Sequence, residues 1–474
     1  MAKKKKTRPP MGKGFGHPRL ADGLRRAEAY MARQEWKTAY PILRALSEAY
    51  PQEKQVWSLL TDVCLQLSKM RAYQQACERW AHIDPQNGDV LYILGFAYLF
   101  NQHPLLALSA FRRALTCELN AEQREKIEEA MPNLEELAAE TKKRFEPETD
   151  DWWEISLLHE RGQTQLETGD YAQARQSMEA VLRKRPTYEP ARNNLSMACW
   201  MMNDGEAAIA SCQTILETSP DSVHALSNLV RFLTLLGREA DASPYADRLR
   251  NIEIPEAWNF WTKQVEGLSY LADDTGVVST YDHWRKSDPP EKIFDPLFFH
   301  LTAVSLARCG RESEARRQWQ KALEIRAGMA IAQKNLQEMV LPIDRQHGAW
   351  PFSLDDWLTP TASQDIRQVV ALIRESRSSE RIAIASQQFF DQHPEVGVLL
   401  PRLLERGGPV GQTCFVMMAS YLRSPDFVAA IKAFSLGKDG TDELRQRAAA
   451  QAERADVLAQ DEATTSAQPP GPKA

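Results

Sequence analysis

Apolar residues recur at three- and four-residue spacing along most of this chain, the spacing of one face of an α-helix. The stretches are short, and the pattern itself returns every 34 residues. With Gly88 as position 1, Leu91, Leu94, Gly95, Tyr98, Ala107, Phe111 and Ala114 take positions 4, 7, 8, 11, 20, 24 and 27. Small residues at 8 and 20 let two antiparallel helices approach closely, and large ones at 4, 7, 11 and 24 fill the space between neighbouring hairpins. The same frame fits from Leu20 (Ala27, Tyr30, Ala39, Leu43) and from Lys54 (Trp57, Leu60, with Tyr73 departing at 20). It fits again from Ile155 (Gly162, Ala174, Met178), from Glu189 (Leu195, Cys199, Ala208, Cys212) and from Val223 (Leu229, Leu233, Ala242, Leu249). A divergent unit starts near Phe260 (Gly267, Tyr270, Ser279), and a clean one starts at Pro296 (Ala303, Leu306, Ala315, Trp319, Ala322). Pro51, Pro85, Pro186 and Pro220 fall at position 32, where proline ends the second helix of each pair. A last first-type helix is predicted over Met329–Leu341.

This order of residues resembles the tetratricopeptide repeat, W-x2-L-G-x2-Y then A-x3-F then A. The resemblance covers roughly residues 20–119 and 155–341 in about eight units. It implies an all-α fold, a superhelix (α-solenoid) of helical hairpins in two blocks, 20–119 and 154–341. Residues 120–153 between them read as an acidic helical segment, with Pro132 as a break, that either caps the first block or spaces the two. Beyond Pro342 the register is lost. Residues 342–458 read as a smaller, irregular helical domain of HEAT-like character, after a loop-like stretch carrying Trp350 and Trp357. The ends, 1–19 and 459–474, are polar and read as disordered tails.

Composition supports a helical chain. The 22 glycines in 474 residues are about 4.6%, below the usual ~7%, which disfavours turn-rich β folds and phosphate loops. The 12 tryptophans fit hairpin interfaces: Trp57 and Trp319 sit at positions 4 and 24, and Trp80, Trp258, Trp261 and Trp284 lie within repeat helices. Net charge is −6, which points away from nucleic acid as the main partner. The charge is uneven, though. Lys3, Lys4, Lys5, Lys6, Arg8, Lys13 and Arg19 form a basic arm with no acid among them, and 118–154 is strongly acidic. Three readings of the arm stay open: a solvated tail, contact with nucleic acid or the ribosome, and loose docking on the acidic segment. The seven cysteines make no C-x-x-C pair, and no apolar stretch forms a signal or a membrane span. The expected location is the cytoplasm.

Chemistry is thin. The nine histidines show no H-E-x-x-H, and there is no G-x-S-x-G, P-loop or G-x-G-x-x-G. Lys13-Gly14-Phe15-Gly16 follows no strand, and Gly437-Lys438-Asp439-Gly440 reads as a turn between helices. No catalytic residue, metal or cofactor is expected. What the resemblance does imply is a binding groove. In such superhelices positions 2, 5, 6, 9, 12 and 13 of the first helices line the concave face. Position 6 is Asn194, Asn228 and, in the last half-unit, Asn335. A carboxamide donates and accepts, so it can pair with any peptide unit, and the row looks like the asparagine ladder by which some such superhelices hold a peptide backbone. Arg192, Asn193 and Arg231 join it, the arginines as carboxylate partners. Glu160 and Leu301 interrupt the row, and the K-x-x-x-N pattern of chaperone carboxylate clamps is absent. The expected function is non-enzymatic binding of a protein or extended peptide, as a scaffold or adaptor. The alternative is a nucleic-acid- or ribosome-associated factor using the basic arm.

Overall fold

The chain is described here from a computed structural model. It describes residues 19–466 except 146–149, 254–257, 288–292, 294, 376–377 and 420–423. The basic stretch from Lys3 to Lys13 and the tail beyond 466 therefore lie outside the described residues. Twenty-four α-helices are described, and they fall into two compact units, 1–186 and 187–474.

The first unit holds the hairpins α1 (Leu20–Met31) with α2 (Trp36–Ala49), α3 (Lys54–Gln66) with α4 (Met70–Ile83), and α5 (Gly88–Phe100) with α6 (Pro104–Ala114). A single long helix α7 (Ala121–Lys143) follows, then the hairpin α8 (Trp152–Thr168) with α9 (Tyr171–Lys184). The second unit holds α10 (Glu189–Met201) with α11 (Gly205–Thr218), α12 (Val223–Leu235) with α13 (Glu239–Asn251), and α14 (Trp258–Tyr270) with α15 (Asp274–Lys286). Next come α16 (Pro296–Arg308) with α17 (Glu312–Ile325) and the unpaired α18 (Ala330–Glu338). After an extended stretch with short 3-10 turns at Ile343–Arg345 and Leu354–Trp357 come α19 (Pro360–Glu375), α20 (Ser379–Gln392), α21 (Pro394–Arg406), α22 (Gly408–Ala419), α23 (Pro425–Leu436) and α24 (Asp442–Ser466).

Each hairpin turns through a residue in the left-handed region. These are Gln34, Ser68, Gln102, Gly169, Asn203, Gly237, Ala272 and Gly310. All but Ala272 stand fifteenth in their unit, so the backbone carries the 34-residue period as the side chains do. Ala272 falls two places earlier, counted from the packing glycine Gly267, which is how the unit near Phe260 diverges. The small residue at position 8 has a direct steric cause. A Cβ on Gly95 would lie 2.2 Å from the ring of Phe111, the residue at position 24 of the same hairpin.

The acidic helix α7 runs unbroken through Pro132, against the expected break there. A capping box, Asn120 with Gln123, fixes its start, and Ile127, Leu134 and Ala138 bury against the preceding hairpins. Losing one backbone bond at Pro132 is offset by that packing. The next hairpin also packs back into the first unit. The carboxylate of Glu160 accepts hydrogen bonds from the N–H groups of Leu105 (3.1 Å) and Leu106 (2.8 Å) at the start of α6. Those donors have no partner within their own helix, and an anion is favoured at a helix N-terminus. Gln75 donates to the Thr168 carbonyl, fastening the far end of α8 to α4. The first compact unit thus takes in the hairpin 152–184 as well as the three hairpins of 20–119.

The second unit has one hydrophobic core, from Cys199 to Ala452. Helices α19–α24 share it with α10–α18. Arg406, on α21, makes a two-pronged bond to Asp274 at the start of α15 (3.0 and 2.7 Å). Arg308, on α16, bonds Asp439 (3.1 Å) and Glu405. Both arginine side chains are almost wholly buried. Helix α24 extends to Ser466, past the start of the expected tail at 459.

Candidate binding grooves

In the second unit the first helices of the hairpins present the expected groove positions to the chain's own segment 347–358. Asn335, at position 6, donates from Nδ2 to the Trp350 carbonyl (3.2 Å) and accepts from the Trp350 N–H at Oδ1 (3.1 Å). His300, at position 5, lies 2.9 Å from the Pro351 carbonyl through Nε2. Its other ring nitrogen accepts from the Trp319 indole N–H (3.1 Å), so Nε2 carries the proton and donates. Arg308, at position 13, donates to the Ala349 carbonyl (3.1 Å), and the Tyr270 hydroxyl reaches that of Asp356 (3.4 Å).

Apolar anchors complete the seat. Phe352 stacks on Tyr270 with ring centroids 4.2 Å apart, and Trp357 meets both rings edge-on. Arg231 covers Tyr270 at 5.4 Å and lies 3.9 Å from Glu266. Trp350, Phe352, Trp357 and Leu358 are all buried. Burial of each such side chain contributes on the order of 3 kcal/mol. Burial also pushes His300 down to about 4, partly opposed by its bond to the Pro351 carbonyl, so it is neutral at physiological pH.

The first unit differs. On α5 the groove positions 5, 6, 9, 12 and 13 are Tyr92, Ile93, Phe96, Leu99 and Phe100, none of them fully buried. Phe100 is 55% exposed, and Leu65 on α3 is 40% exposed. Tyr92 packs edge-on to Phe96, which packs on Phe111, so the row stands on the core. Asp62, at position 9 of α3, makes no ion pair among the described residues, and partial burial pushes its carboxyl up. Gln123 of α7 donates to Asp89 at position 2 (2.7 Å), and Gln55 donates to Glu28 (3.1 Å). The outcome is an apolar, aromatic row with a carboxylate rim.

Among known families, the model for the tetratricopeptide repeat matches residues 165–221, within the stretch where hairpin register and turn geometry agree. The chain is a tetratricopeptide repeat protein. A curated relative, protein FlbA of Caulobacter vibrioides, is 23% identical over 265 residues, which are 55% of this chain and 43% of FlbA. The match thus spans less than half of that relative's length. Among solved structures, a tetratricopeptide repeat protein from Parabacteroides merdae aligns with a TM-score of 0.33 at 12% identity, covering 60% of this chain and 97% of its own. Yeast Tom70 aligns with a TM-score of 0.28 at 10% identity, covering 93% and 96%.

Within this tetratricopeptide repeat protein the expected asparagine ladder is not an open row. Asn335 does pair with a peptide unit through both its donor and its acceptor, but the unit belongs to the chain itself. Asn228 is buried, and Arg231 is held against Tyr270 and Glu266. Arg192, Asn193 and Asn194 remain half-exposed on α10. The buried Oδ1 of Asn193 accepts no hydrogen bond among the described residues. The physical reason is that 347–358 and the helices after it fill the face that the repeats present. Sequence reading missed both this occupant and the row on α5. A signal existed: α5 and α16 are apolar nearly all round, and such a helix needs cover on more than its core stripe.

Proposed function

We propose that the protein is a non-enzymatic scaffold that binds a partner protein or extended peptide on the first-helix face of its first unit. Tetratricopeptide repeat proteins generally bind proteins or peptides, as the extended concave surfaces of stacked repeats favour. The observation that carries the reading here is the exposed apolar row on α5 and α3, centred on Phe100 and Leu65. An apolar row rimmed by polar residues marks an interaction site. The partner chemistry that fits is a segment with apolar or aromatic anchors and a cationic group placed to meet Asp62. Neither a metal nor a cofactor enters this function. Among the described residues no disulfide joins the seven cysteines, and five of them are buried, which fits a reducing compartment such as the cytoplasm.

Affinity capture with the full chain tests this. Phe100→Arg with Leu65→Arg changes only exposed side chains, so the fold should persist and the specific partners should be lost. Asn193→Ala with Asn194→Ala, on the half-exposed part of the second unit, should leave them bound. Retention of every specific partner by the arginine pair, or their loss from the asparagine pair, would move the site to the second unit.

A further inference from the structure

The segment 347–358 is held the way a bound peptide is held. From Ala349 to Pro351 its backbone groups are met by side chains rather than by a helix or sheet ladder, before a single 3-10 turn at Leu354–Trp357. The Ala349, Trp350, Pro351 and Asp356 carbonyls and the Trp350 N–H go to Arg308, Asn335, His300 and Tyr270. Gln412 donates to the His347 carbonyl at the entry (3.0 Å). Such contacts read a peptide backbone whatever its side chains, and Trp350, Phe352 and Trp357 add aromatic anchors in pockets. The preceding stretch is exposed: Val340 is 67% and Ile343 85% accessible. Just after α18, then, a solvated tether runs into a buried, ligand-like segment.

We propose that the groove of the second unit is a peptide-binding site that the chain occupies with its own residues 347–358. Its ligand class is an extended peptide bearing Trp-Pro-Phe and, five residues after the phenylalanine, Trp-Leu. A short tether gives the internal copy an effective concentration of about millimolar, so a free segment of the same chemistry binds only when the internal one is absent or released. The second groove is therefore closed in the intact chain. This site is separate from the open face of the first unit and stands or falls independently of it.

The test is complementation in trans. In the full chain, residues 347–358 are replaced by a glycine–serine linker of equal length. The probe is a fluorescent synthetic peptide covering 345–359, read by anisotropy, with helicity and melting followed by circular dichroism. The replaced chain should bind the peptide about 100-fold more tightly than the natural chain, given the tether. Adding Asn335→Ala should weaken that binding about 10-fold, as loss of two backbone hydrogen bonds implies. A peptide carrying Trp350→Ala and Trp357→Ala should not bind. If the replaced chain does not fold alone, peptide present during refolding should restore its helicity and cooperative melt. A folded replaced chain that ignores the peptide overturns the proposal. So does an unfolded one that the peptide cannot rescue, or a natural chain that binds the peptide equally well.

Discussion

Single residues in this protein carry more than their type announces. His300 looks in the sequence like an ordinary apolar-face histidine, yet it bridges the Trp319 indole and the Pro351 carbonyl from a fully buried position. Its folded pKa of about 4 lies below the ordinary value near 6.5, mainly because burial penalises the charge. His224, half-buried on α12, is pushed down to about 4 as well, by burial and then by the Lys263 charge. The unfolded chain therefore binds protons that the folded chain does not between pH 6.5 and 4. Stability should fall as pH falls through that window and level off below it. Denaturant melts at pH 7, 5.5 and 4 should show this slope, and His300→Gln should flatten it. An unchanged slope in that variant would place the pH dependence elsewhere. Asn335 teaches a related lesson. Its capacity to pair with a peptide unit was legible from its position in the repeat, but which peptide it pairs with was not. Position 6 fixes the direction of the side chain, while the occupant comes from a segment outside the repeat.

At the scale of elements, the 34-residue period gave the hairpins and their turns, because helix pairs pack through fixed small and large positions. The helical character of the region after 360 was also legible, from amphipathic spacing, whereas the end of its last helix was not: α24 runs on to Ser466. Turn chemistry is less uniform than the packing. Gly169, Gly237 and Gly310 take the left-handed conformation at no steric penalty, while Ala272 holds φ +60° with a Cβ. That conformation costs a non-glycine residue about 1–2 kcal/mol. Ala272→Gly should accordingly stabilise the second unit by about 1 kcal/mol, net of the added flexibility of the unfolded chain. A thermal melt checks it, and a lowered midpoint would mean that the Ala272 methyl contributes packing that outweighs the strain. Helices α5 and α16 show where element-level reading stops. Both are apolar on nearly every side. α16 is buried because 347–358 and later helices cover its groove face, whereas α5 keeps Phe100 at the surface.

At the scale of the molecule, the C-terminal helices are part of the second unit's core rather than an appended domain. The buried bonds of Arg406 to Asp274 and of Arg308 to Asp439 and Glu405 join residues about a hundred positions apart. Removing one partner of such a buried pair leaves an unpaired charge and typically costs 3–5 kcal/mol. A chain ending at Leu341 would lose that network together with the cover over Tyr270 and His300. It should bind a hydrophobic dye and melt with a lower midpoint and less cooperativity; an unaltered melt would show that the repeats hold together without α19–α24. By itself the sequence determined the all-helical hairpin architecture, since periodic apolar positions and small packing residues act locally, between neighbours in the chain. Only the tertiary structure decided which groove stays open. Filling one is a long-range event, in which Phe352 and Trp357 leave water by reaching Tyr270, more than eighty residues earlier, and no local period encodes that choice.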